Sequence, residues 1–157
     1  MNDTPQKTPK APAKPPRRRA REFALQGLYQ WRLKANDAAA IEAHLPELEG
    51  YNKADRDFCM ALVRGVIARE AELAEHIAPC LDREIAELSP VEACILLIGT
   101  FELAQYPETP YRVIINEAIE LAKSFGGSEG HKYVNGVLDK IAAKLRTVEV
   151  EARKQGR

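Results

Sequence analysis

The sequence predicts an all-α fold, and three observations predict it. No segment sustains the two-residue alternation of a half-buried strand; apolar residues recur instead at three- and four-residue steps; and Ser89-Pro90-Val91-Glu92 is a complete helix-start signal. Roughly six or seven helices with short connections imply antiparallel neighbours packed as a bundle. A chain of 157 residues, 45% of them hydrophobic, is long enough to bury one real core.

Residues 1–16 carry Pro5, Pro9, Pro12, Pro15 and Pro16 among Lys, Ala and Thr, so a disordered cationic leader is expected there. From Pro16 to Trp31 a dense arginine run passes into an amphipathic helix. Phe23, Ala24, Leu28 and Trp31 form its inward stripe, and Arg18, Arg21, Leu25 and Tyr29 follow a second line, of which the arginines and Tyr29 look outward. Asp37 is the expected N-cap of a short helix reaching about Leu45, and residues 46–52 read as a loop. Phe58, Leu62, Val63, Val66, Ile67 and Leu73 then predict one long helix over 53–77, with Gly65 its weak point and Pro79 its end. Ile85 and Leu88 suggest a further turn or two.

Serine at N-cap, proline at the first helical position and glutamate at N3 start the next helix at Ser89. Its body, ACILLIGTFELA, is apolar nearly all round and predicts a central post packed on several sides. Tyr106, Pro107 and Pro110 make a turn. Ile115, Ala118, Ile119, Ala122 and Phe125 give the next helix its inward stripe, which Gly126 and Gly127 close. A last helix from about 129–131 buries Val134, Val137, Leu138, Ile141 and Leu145, and residues 147–157 read as a polar tail after a globular span of 17–146.

The formal charge of zero conceals an asymmetry. Residues 1–21 hold seven Lys/Arg against Asp3 alone, a net of +6, and residues 144–157 hold five against two, a net of +3; the body between therefore carries −9. Basic ends on an acidic body point to a local contact with an anionic partner, not to a uniformly basic coat. Three cysteines without a CxxC pair indicate neither a disulfide framework nor a zinc knuckle. With no signal-peptide pattern at the start and no apolar run long enough to span a bilayer, the cytoplasm is the expected location.

Candidate chemistry is sparse. His76 and Cys80, four residues apart, have no obvious partner ligands, and ordinary packing is expected of them. Glu129 and His131 lie beside glycines, yet no nucleophile accompanies them, and GGSEG lacks the lysine and hydroxyl of a phosphate-binding loop. The basic-aromatic set is the stronger signal. Arg17, Arg18, Arg19 and Arg21 with Tyr29, joined by Lys132 and Tyr133, form a constellation suited to single-stranded RNA, where charge tracks phosphate and rings stack on bases. A basic tail leading into an ordinary helix remains an alternative for the first group, and a core position for Tyr133.

Three blocks, RRRAREFALQGLYQW, SPVEACILLIGTFEL and PYRVIINEAIELAKSFGGSEGHKYVNGVLDKIA, resemble the NusB family of transcription antitermination factors over about residues 17–145. The resemblance implies two small helical bundles packed as one unit. It implies binding to the boxA element of nascent ribosomal-RNA leaders together with NusE, a small-subunit ribosomal protein, so that RNA polymerase with other Nus factors reads through terminators; no reaction and no cofactor are implied. Carried over by motif, the RNA face comprises Arg17, Arg18, Arg19, Arg21, Gln26, Tyr29, Glu129, Lys132 and Tyr133, and the partner face includes Glu92. The rival expectation is a helical RNA-binding domain related to that of ribosomal-RNA cytosine methyltransferases.

Overall fold

In the computed structural model, which describes residues 14–127 and 129–156, eight α-helices and short 3₁₀ turns account for the regular structure, with no strand among the described residues. Most of the expected leader, residues 1–13, lies outside the described residues. The helices are α1 (Pro16–Arg32), α2 (Ala38–His44), α3 (Arg56–Ala68), α4 (Glu70–Ile77), α5 (Pro90–Gln105), α6 (Tyr111–Phe125), α7 (Gly130–Leu145) and α8 (Thr147–Gln155). None is long and apolar enough to cross a membrane.

The post is α5. Every residue from Ala93 to Leu103 is buried, because α1, α3 and α4 pack on one flank and α6 and α7 on the other. The fold is thus an α1–α4 bundle and an α5–α8 bundle that share a core through this helix. Its start is fixed as expected: Ser89 Oγ accepts from the Glu92 backbone N–H at 3.1 Å, a cap worth about 1 kcal/mol. Asp37 caps α2 in the same way, accepting from Ala40 N at 2.8 Å.

Three expectations are corrected. The long helix over 53–77 is two helices that break at Arg69 (φ −115°, ψ 19°), not at Gly65. Gly65 serves close packing instead: a Cβ there would lie 2.2 Å from Phe101 Cζ, so only glycine lets α3 approach α5 this closely. The polar tail is largely α8, docked by the buried Val150 and by Arg146 at its head. Arg146 donates to the carbonyls of Leu103 (2.8 Å), Tyr106 (2.7 Å) and Thr109 (3.0 Å), satisfying acceptors at and beyond the carboxyl end of α5. Glu149 pairs with Arg146 at 2.6 Å and accepts from the Tyr111 N–H, the first of α6, at 2.8 Å. Finally, Arg21, expected to look outward from α1, is buried.

Candidate nucleic-acid interface

The outer side of α1 lies beside α6. Arg18 Nε and Nη2 donate to Glu117 of α6 at 3.0 and 3.1 Å, and further along α1 Tyr29 reaches the end of α6 at Phe125. The two helices therefore run alongside in the same sense. Along this side Arg18 and Tyr29 are separated by roughly 16 Å at about 1.5 Å per residue. The arginine run is less bare than its sequence suggests. Arg17 is exposed, with its guanidinium 4.3 Å from the Phe58 ring centroid and its Nε 3.6 Å from Asp55. Arg19 is half-buried and, among the described residues, has no carboxylate partner within ion-pair distance.

Arg21 departs most from the expectation of an outward arginine. It is 4% exposed and donates through Nε and Nη2 to both oxygens of Glu102, at 2.9 and 2.7 Å. The reason is α5: an acidic residue on an otherwise apolar, buried helix needs a cation, and the planar fork of arginine supplies it in bidentate form. Arg21 therefore links α1 to the post.

Farther along α1 the surface turns apolar. Leu25, Gln26, Tyr29 and Gln30 line an open groove of about 340 Å³ with Val91 from the start of α5 and Phe125 from the end of α6. Tyr29 and Phe125 are 38% and 41% exposed, so two large rings meet solvent in one groove. Helical spacing placed Phe125 on the inward stripe of α6, but that stripe outruns the core at its last turn. Val91 and Phe125 are candidate site residues that the sequence did not reveal; the exposed rim of α1 was the only signal near them.

The start of α7 closes this end of the molecule. Glu92, half-buried, lies against its first residue: a Cβ on Gly130 would sit 3.0 Å from Glu92 Oε1. Glycine thereby admits a carboxylate to the positive end of the helix. Glu129 and Lys132 are exposed and pair with each other at 2.9 Å. Tyr133, one turn into α7, is half-buried; its hydroxyl donates to Asp82 Oδ1 at 3.1 Å, and the Arg83 guanidinium stands 4.8 Å from its ring centroid. The Arg83 guanidinium first, and the Tyr133 hydroxyl second, hold the Asp82 carboxyl below the usual carboxylate range. Gln26, Tyr29, Glu92 and the first turn of α7 are thus brought to one end of the molecule, whereas Arg17 packs by Phe58 and Tyr106 beyond the other end of α5, Arg18 is paired with Glu117 and Arg21 is withdrawn.

Cys80 Sγ donates to the His76 carbonyl at 3.7 Å. Burial pushes the Cys59 thiol up to about 11 and the Cys94 thiol to about 12, so neither is a thiolate at neutral pH.

Comparison with known proteins shows the family. The NusB family model matches residues 18–143. The transcription antitermination protein NusB of Dechloromonas aromatica is 63% identical over 148 residues, covering 94% of this chain and 91% of that protein. Among solved structures, NusB of T. maritima superposes with a TM-score of 0.70 at 32% identity, covering 83% of this chain and 92% of that one. A chain in a crystal structure of the antitermination factors NusB and NusE with double-stranded RNA gives a TM-score of 0.69 at 23% identity, covering 79% and 93%. With the family model spanning the globular core and near-full-length relatives so similar, the chain belongs to the NusB family.

Proposed function

We propose that this protein is an RNA-binding adaptor of transcription antitermination, which takes the boxA element of a nascent ribosomal-RNA leader together with NusE and delivers both to RNA polymerase without performing a reaction of its own. One observation carries the reading: α1 bears Arg17, Arg18 and Arg19 in its first turn and, farther along, presents the exposed Tyr29 beside Phe125 in an open groove. Phosphates follow the guanidinium groups and unstacked bases find ring faces. A solved structure of the antitermination factors NusB and NusE with double-stranded RNA supports the choice of RNA and NusE as partner classes. Glu92 is assigned to the protein partner, and Gln26, Tyr29, Glu129, Lys132 and Tyr133 to the RNA. Arg21 acts on this surface only by holding α1 in place.

Two outcomes follow for boxA RNA binding measured by fluorescence anisotropy. Tyr29→Ala should weaken binding by roughly 1–3 kcal/mol while leaving the thermal midpoint little changed, since the ring is exposed. Loss of folding with no binding-specific effect would return Tyr29 to the core. The double variant Arg17→Gln/Arg19→Gln should lower the slope of log affinity against log salt by about 0.7 for each phosphate left without its guanidinium. An unchanged slope would remove both arginines from the interface.

A further inference from the structure

The Tyr133 ring does not stand free: one face is covered by Arg83, from the loop before the last 3₁₀ turn that precedes α5. Arg83 is 45% exposed and pairs with Asp82 at 2.8 Å through Nε, and Asp82 in turn receives the Tyr133 hydroxyl at 3.1 Å. The three side chains form a closed triangle: ring to guanidinium by stacking, guanidinium to carboxylate by charge, carboxylate to phenol by hydrogen bond. A phenylalanine at 133 would keep the first of these links and lose the last. The arrangement fixes a long, flexible side chain with its planar group over an aromatic face, at the margin of the site and one helical turn from Gly130, where Glu92 packs. A guanidinium so held offers a flat cationic surface that accepts a base by stacking and a phosphate by its remaining N–H groups.

We propose that Arg83 is an RNA-contacting residue, held in position by Asp82 and the Tyr133 hydroxyl, and that the segment 81–84 is a third part of the RNA surface beside α1 and the start of α7. The inference rests on the RNA-adaptor reading above and extends it to a loop that the basic-aromatic set of α1 and α7 did not include. Tyr133 contributes as the support beneath the guanidinium, and the base or phosphate meets Arg83 first.

The test uses the full chain and a boxA single-stranded RNA, with a scrambled RNA as the reference. Arg83→Ala should weaken boxA binding about fivefold or more, the lower end of what loss of a stacking group costs. Arg83→Lys should recover only part of the loss, because an ammonium keeps charge but not the planar fork. Tyr133→Phe should weaken binding about threefold through loss of one hydrogen bond, with circular dichroism and thermal midpoint unchanged. Unchanged affinity for Arg83→Ala, or full recovery by lysine together with no effect of Tyr133→Phe, would overturn the proposal. If Tyr29→Ala costs binding while Arg83→Ala does not, this inference alone fails. If the intact chain does not prefer boxA over scrambled RNA, the adaptor reading fails, and the proposal with it.

Discussion

Replacing Arg21 by methionine is expected to destabilise the fold by about 3–5 kcal/mol, because it strands the Glu102 carboxylate in the interior. Glu102 is 2% exposed and receives two short bonds from Arg21, and a second cation of the cluster, Arg18, is committed to Glu117. Urea unfolding followed by circular dichroism measures the loss. The double variant Arg21→Met/Glu102→Leu should recover most of it, since a buried pair replaced by apolar groups of similar volume is often neutral. A cost below about 1 kcal/mol for the single variant would show that Glu102 is not held as described. At temperatures where Arg21→Met remains folded, RNA affinity should change far less than with Tyr29→Ala. That separates Arg21, which orients α1, from side chains on the open rim.

The second large effect is expected at Arg146. Its guanidinium serves three backbone carbonyls, of Leu103, Tyr106 and Thr109, and pairs with Glu149, which itself takes up the first N–H of α6. Arg146→Ala leaves these acceptors without their donor and frees α8, at a cost of about 3 kcal/mol. Arg146→Lys should retain little of the stability, since one ammonium cannot reach three divergent carbonyls as a planar fork does. The same urea experiment decides this, and equal midpoints for the lysine variant and the native chain would contradict the account. Amide hydrogen exchange should rise first in α8 and in the turn between α5 and α6.

The sequence made the helices legible wherever a local signal existed. Ser89-Pro90-Glu92 announced α5, and the all-round apolar body announced that it would be enclosed. What escaped were features set by partners far away in the chain. Arg21 belongs by spacing and charge to the outward line of α1, and only Glu102, 81 residues on, draws it inside. Phe125 follows the inward period of α6 faithfully, yet the core stops before it and the ring emerges in the groove. The break between α3 and α4 falls at Arg69, where no proline or glycine marks it, while Gly65, the residue that looked weak, is continuous helix beneath Phe101. Residues 147–155 read as a polar tail, and their docking as α8 depends on one buried valine and an arginine whose acceptors lie about forty residues earlier. In the candidate site, the motif residues of α1 and α7 were readable, whereas Val91, Phe125 and Arg83 join only through the tertiary arrangement.

The central claim, that the arginine rim and the aromatic groove make one RNA surface which works with a protein partner, is tested most directly by titrating the chain with boxA RNA and with a scrambled RNA of equal length, each with and without NusE. The account predicts tighter binding to boxA than to the scrambled strand, a further gain for boxA when NusE is present, and loss of both differences in Tyr29→Ala. Equal affinity for the two RNAs in the presence of NusE would contradict it.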